Sequence, residues 1–241
     1  MEPNQILERT DKVSFFSVLK AMTTSDKTDT KQTKSIGGLV SAFNVVDRHG
    51  DVVVKGAYSS GLAKNYDSSS GNLLPEGKCV GGYYEHDDLI GGVTFLKETD
   101  AGLEFNIDLV DGIQCAEETW ILYKSKIIHS ASIGASCSGP CVIVDITEDA
   151  AKTIAALAPY FGANAASVYE QAKSNYYAKN WGLRILTSMD IFDVTVTNKP
   201  VNTGAVLKTV SQVIERKTVE VIDHNKQALE FLKALKSGES K

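Results

Sequence analysis

The spacing of apolar positions changes along the chain, and each change predicts a different kind of element. Residues 23–35, TTSDKTDTKQTKS, contain no apolar side chain. They can bury nothing and are expected to form a polar, flexible loop within an N-terminal segment, 1–35. From Ile36 the pattern turns to short apolar stretches broken by turn signals. Gly38–Val45 reads as a strand, Asp47-Arg48-His49-Gly50-Asp51 as a turn, and Val52–Val54 as a second extended segment. Further strands are expected over Leu73–Tyr84, Gly91–Lys97 and Leu103–Leu109, with Thr99-Asp100-Ala101-Gly102 as a hairpin turn. That density of short β segments predicts a meander or barrel.

Helical spacing appears next. In residues 113–125 the side chains Ile113, Ala116, Trp120, Leu122 and Tyr123 fall close to a 3.6-residue period, which predicts a helix. Ile127–Ser132 and Pro140–Ile146 return to strand character. Thr147-Glu148-Asp149 looks like a helix start, with Thr147 as the hydroxyl cap. The Ala-rich run after it ends at Gly162, and a second Ala-rich helix is expected over 164–178. Leu183–Leu186 and Ile191–Val196 resume the sheet, and Lys199-Pro200-Val201-Asn202 closes the domain. Beyond Gly204, positions such as Val206, Val210, Val213, Leu229 and Leu232 keep a helical period, predicting an amphipathic tail, 206–241, that needs a partner surface. The fold class expected is α+β: a β-barrel or strongly curved antiparallel sheet surrounded by helices, with that helical tail. The organisation expected is segment 1–35, a domain over 36–205 with a helical insertion at 147–180, and the tail.

Composition narrows the function classes. The chain has 241 residues, 43% of them apolar, as in an ordinary globular protein of one large domain or two small ones. A net charge of −5 argues against a general nucleic-acid binder, which carries a basic surplus. The acidity is central: residues 37–205 hold 12 basic against 20 acidic side chains. The apolar runs are too short to span a bilayer, and no secretory signal pattern opens the chain, so no membrane association and a cytoplasmic location are expected. Of the four cysteines, only Cys137 and Cys141 stand close together, as C-x3-C. Without a second Cys or His pair a zinc site is unsupported, and four free thiols are expected in a reducing compartment. No metal or cofactor is expected.

Three segments carry candidate chemistry. His86, one of four histidines, sits in Tyr83-Tyr84-Glu85-His86-Asp87-Asp88 at the end of a predicted strand. A rigid element can hold it there while its ring reaches solvent; a surface histidine in an acidic turn is the plainer reading. Ser132 lies in His129-Ser130-Ala131-Ser132-Ile133-Gly134-Ala135-Ser136, where small residues leave room for a substrate backbone to approach a nucleophile. Strand alternation puts Ser130, Ser132 and Gly134 on one face and His129 on the other, so His129 is not the natural base for Ser132. Taken alone, such a run is more often a tightly packed strand crossing than an active site, and it lacks a G-x-S-x-G elbow. In Met189–Val196, alternation assigns Phe192, Val194 and Val196 to the core and leaves Asp193 on a semi-polar face, either to orient an imidazole or simply exposed.

In this order the segments resemble the prohead (capsid maturation) protease family of tailed phages, whose fold is similar to the assemblin proteases of herpesviruses. The resemblance covers residues 36–205. It begins with Asp47-Arg48-His49-Gly50-Asp51 through Gly56-Ala57-Tyr58, continues with Glu85-His86-Asp87 and Ile90-Gly91, then Gly102-Leu103, and reaches Ser132-Ile133-Gly134 after the helix from Ala116 to Tyr123. It ends with Asp190–Val196 and Pro200-Val201-Asn202. The resemblance implies a serine endopeptidase with Ser132 as nucleophile, His86 as general base and Asp193 as orienter of His86. Gly134 and Arg184 are candidate oxyanion or substrate contacts. The family commonly carries Glu and Ser where Asp193 and Thr195 stand, and the shorter Asp193 requires its backbone to lie closer to His86. His49 and His129 are the other candidates for the third position. The resemblance also implies scaffold and major capsid proteins as substrates, self-cleavage, a homo-oligomer, and action in the bacterial cytoplasm inside the assembling procapsid. Two other classes fit the pattern: a protease-fold scaffold or capsid-assembly protein without activity, and a small-ligand-binding β-barrel.

Overall fold

A computed structural model of the chain describes residues 33–208. The polar stretch 23–32 and the tail beyond Lys208 lie outside the described residues. The described part is α+β, built on two sheets. Strands β1 (Ser35–Ala42), β3 (Val80–Tyr84), β4 (Asp88–Glu98), β5 (Gly102–Leu109), β6 (Ser130–Cys137), β9 (Met189–Thr197) and β10 (Val206–Leu207) form a seven-stranded sheet in the order β10-β1-β5-β4-β3-β9-β6. It curls so far that the backbone N–H of Leu207 donates to the carbonyl of His129, just before β6, at 3.0 Å. This half-barrel agrees with the curved sheet expected, but it is mixed, because β3 and β9 run parallel. Strands β2 (Asp51–Val53), β7 (Val142–Val144) and β8 (Leu183–Leu186) form a second sheet in the order β2-β8-β7.

The inner side of the curled sheet is apolar. Leu103, Phe105 and Ile107 of β5, Ile90, Val93 and Leu96 of β4, and Val194 and Val196 of β9 are buried in one core with Ile36, Val40 and Ala131. Helix α1 (Ser59–Leu62) and helix α2 (Gln114–Lys124) add Leu62, Ala116 and Tyr123 to the same core. Burial of this kind contributes about 25 cal/mol per Å² of apolar surface.

The Ala-rich helices pack around a second core. Helices α3 (Ala150–Phe161), α4 (Ala165–Ser174) and α5 (Tyr176–Trp181) bury Leu157, Phe161, Val168, Tyr169, Ala172 and Ala178 with Val52, Leu183 and Ile185 of the second sheet.

Several local expectations are corrected. The strand expected from Leu73 is shortened to Val80–Tyr84, because Pro75 has no N–H for a ladder and Gly77 follows it. The cap of α3 is Asp149, whose carboxylate accepts from the Lys152 N–H at 3.1 Å, rather than Thr147. The second Ala-rich helix is broken at Asn175, which turns extended and caps α5 through the N–H groups of Tyr177 and Ala178. Val206 and Leu207, read as the start of a helix, instead pair with Leu39 and Gly38 as a strand.

Candidate functional site

Three adjacent strands position the sequence-derived trio. Along β9, Asp193, Thr195 and Thr197 alternate to one face. On one side β3 pairs Gly81 with Asp193 and Tyr83 with Thr195; on the other, β6 pairs Gly134 with Asp193 and Ser132 with Thr195. Directly opposed residues point to the same face with their Cβ atoms about 5 Å apart. Ser132 is therefore one strand from Thr195 and diagonal to Asp193.

The chain after β3 folds onto that face. The N–H of Asp87 returns to the carbonyl of Tyr84 at 3.1 Å, closing a tight turn in which Glu85 and His86 have φ of 51° and 65°. Positive φ at two consecutive residues marks a type I′ turn, which Gly and Asn adopt most readily. Glu and His there store of order 1–3 kcal/mol each, a load that persists only where surrounding structure enforces it. The enforcement is visible. The backbone N–H of His86 donates to Thr195 Oγ1 at 2.9 Å, and Thr197 Oγ1 donates to Glu85 Oε2 at 2.9 Å.

The side chain of His86 then meets Asp193, Nδ1 to Oδ1 at 3.0 Å, and the same oxygen accepts the Gly134 N–H at 3.0 Å. A carboxylate can only accept, so Nδ1 carries the ring proton and Nε2 is left as the basic nitrogen. His86 has 43% of its side chain exposed against 15% for Asp193, so the imidazole can meet solvent while the carboxylate beneath it is shielded. Asp193 is long enough because Gly134 brings β6 against it: a Cβ on Gly134 would lie 2.0 Å from Asp193 Oδ2.

Ser132 is 5% exposed, and Ser130, Thr195 and Thr197 around it are buried as well. Among the described residues it makes no hydrogen bond to His86, so the structure joins His86 to Asp193 and sets Ser132 beside them through the Thr195 register.

Two expectations are corrected here. The N–H of Gly134 is committed to Asp193, so it is not a free oxyanion donor. Arg184 stands on β8 in the second sheet, with one edge of its guanidinium donating to Asp51, Nε to Oδ1 at 2.5 Å and Nη2 to Oδ2. A bidentate guanidinium on a buried carboxylate is held in place and is not brought to Ser132. His49 packs edge-on to Tyr177 at 6.4 Å between ring centres, and the backbone of His129 bonds Asn198 and Leu207.

Phe192, assigned to the core by alternation, is 61% exposed. The ladder slips between Gly134 and Ala135, which face Asp193 and Ile191, so Phe192 is the extra residue of a bulge and turns outward beside Gly134.

Thr195, Thr197 and Glu85 are the residues that sequence reasoning missed. The D-x-T-x-T alternation in Asp193–Thr197 was the available signal, since it puts three hydrogen-bonding side chains on one strand face. Among the described residues there is no cluster of three His, Cys, Asp or Glu side chains able to hold a metal ion.

A scan against protein-family models finds no match for this chain, and a search of curated proteins finds none either.

Proposed function

We propose that this chain is a serine endopeptidase in which Ser132 attacks a peptide carbonyl, His86 is the general base and Asp193 orients it. The observation that carries the reading is the His86 Nδ1 to Asp193 Oδ1 bond of 3.0 Å, held over a strand register that sets Ser132 opposite Thr195. In this reading the Nε2 of His86 takes the proton of Ser132 Oγ as the carbonyl carbon is attacked, and gives it to the departing amine when the acyl-enzyme forms. Asp193 stays ionised throughout and stabilises the imidazolium. The substrates proposed are scaffold and major capsid proteins, cut during prohead maturation in the bacterial cytoplasm by an oligomer of this chain that also cleaves itself. The curled sheet is proposed to be related to that of herpesvirus maturation proteases.

A second reading, a protease-fold assembly protein without activity, draws on the 5% exposure of Ser132 and its lack of a bond to His86. Labelling of the full chain with a fluorophosphonate separates the two, because the reagent needs an activated serine oxygen. The peptidase reading expects the label in tryptic peptide 127–152 at Ser132, and loss of scaffold cleavage by on the order of 10⁴ to 10⁶ in Ser132→Ala. A folded protein that takes no label, or a Ser132→Ala variant that cleaves scaffold at the parental rate, overturns it.

A further inference from the structure

At the far end of β6 from Ser130 the strand stops at Cys137, turns through Ser138-Gly139-Pro140, and resumes at Cys141 before β7. Both cysteines are exposed, and their sulfurs stand 2.7 Å apart, within about 0.7 Å of a formed disulfide. The turn is pinned from the outside. The N–H of Ser138 donates to the carbonyl of Ser188 at 3.0 Å, the two serine hydroxyls lie 2.8 Å apart, and Thr187 Oγ1 donates to the carbonyl of Pro140 at 3.3 Å. The chain segment between β8 and β9 thus fixes the loop so that the thiols meet without backbone movement.

We propose that Cys137 and Cys141 form a reversible redox pair, oxidised to an intramolecular disulfide by exchange with a low-molecular-weight disulfide of the glutathione type. One cysteine thiolate attacks a sulfur of the small disulfide, expelling one small thiolate, which is protonated, and leaving a mixed disulfide on the protein. The second cysteine loses its proton, attacks the protein-bound sulfur of that mixed disulfide, and expels the other small thiol. Two electrons and two protons pass from the pair to the small disulfide, which ends as two thiols.

Loss of solvent, and then the shared contact with Cys141, push the Cys137 thiol up to about 11; the guanidinium of Arg184 favours its thiolate and Asp51, which holds that guanidinium, opposes it. The bond would tie the end of the strand that carries Ser132 to the three-stranded sheet, closing a loop the fold has already shaped. Cys79 and Cys115 are half-buried on other elements and lack such a neighbour.

Both thiols fall in one tryptic peptide, 127–152, so the state of the pair is read from a single mass. The full chain is equilibrated over a series of reduced-to-oxidised glutathione ratios, quenched in acid, alkylated and digested. The expected result is that peptide 127–152 loses about 2 Da and takes no alkyl label, while Cys79 and Cys115 remain alkylated. The native chain should oxidise at least ~10-fold more readily than the same chain in urea, since the fold raises the effective thiol concentration. Cys137→Ser should accumulate glutathione on Cys141, because no second thiol is left to resolve the mixed disulfide. Two alkyl labels on that peptide at every ratio, equal oxidation in urea, or no glutathione on Cys141 in Cys137→Ser would overturn the proposal.

Discussion

Asp193 Oδ1 accepts two hydrogen bonds, from His86 and from Gly134, and everything proposed for this site depends on that oxygen staying where it is. Two substitutions probe it differently. Asp193→Asn keeps the shape but offers an amide in place of a carboxylate, so the imidazole loses its charge partner and the tautomer is no longer fixed. Peptidase turnover should fall by up to about 10⁴ with KM little changed. Gly134→Ala leaves every functional group in place but drives a methyl into Asp193 and the Phe192 ring. Shifting the carboxylate by about 1 Å should cost roughly 10²-fold in turnover. Near-parental turnover in both variants, measured on folded protein, would move the orienting role away from Asp193. At this scale the pairing of His86 with Asp193 was legible from residue type and order. The strained φ of Glu85 and His86 was not, because turn conformation follows from the Thr195 and Thr197 bonds across the sheet. Asp47 and Gly50, prominent in the opening motif, turn out to shape a loop. The Asp47 carboxylate accepts from the N–H groups of His49 and Asp51, and Gly50 takes a φ of 77°.

The close approach of strands in the large sheet is an element-level property, and β3 and β4 face each other with glycine on both strands, Gly81 opposite Gly92 and Gly82 opposite Gly91. A Cβ on Gly91 would lie 2.1 Å from the carbonyl oxygen of Asp108 on β5, and one on Gly82 would enter the Ile107 side chain. These positions let strands approach closer than a side chain permits. Gly91→Ala should therefore destabilise the domain by about 2–3 kcal/mol, the upper part of the range for overpacking a close-packed contact. That corresponds to a fall of roughly 5–10 °C in Tm for a domain of this size. A thermal melt unchanged within error would mean that β4 and β5 separate freely at this point. Strand content was legible because alternation is a local signal. The exchange of partners that makes β3 and β9 parallel was not, since five strands and four α-helices separate them along the chain. The bulge at Phe192 escaped notice for a related reason: alternation assumes an uninterrupted ladder, and only the partner strand reveals the slip.

For the molecule as a whole, closure of the half-barrel rests on contacts far apart in sequence, and buried tyrosines serve several of them. Tyr123 on α2 donates to the carbonyl of Lys208 at 2.6 Å, anchoring the chain just after β10. Tyr58 donates to Ser41 Oγ at 2.9 Å, and Tyr66 donates to the carbonyl of Val93 at 2.9 Å while accepting from the N–H of Val80 at 3.0 Å. None of this was legible in the chain. The apolar spacing beyond Gly204 reads as helical from its start, and a two-residue strand leaves too few positions to show its own period. Burial pushes the phenols of Tyr58 and Tyr123 up to about 12 and that of Tyr66 higher still, because a phenolate in an apolar setting is poorly solvated. The consequence is a specific alkaline limit. Below about pH 10 these phenols are protonated whether the chain is folded or not, and the stability tied to their protonation is fully present. Above pH 10 the unfolded chain releases its phenolic protons while the folded chain retains them. The folded state then binds more protons, so stability falls as pH rises toward about 12 and beyond. Each unit of separation is worth about 1.4 kcal/mol, so the loss should reach several kcal/mol across this window. Urea melts at stepped pH, followed together with tyrosinate absorbance, should show the unfolding midpoint dropping between pH 10 and 12 and a group of tyrosines ionising only as the fold is lost. Smooth ionisation of all the tyrosines near pH 10 in folded protein, with an unmoved midpoint, would show that these phenols do not carry the closure. Tyr123→Phe keeps the ring and removes only the bond to Lys208, so it should flatten the pH dependence of the midpoint even though it weakens the fold at neutral pH.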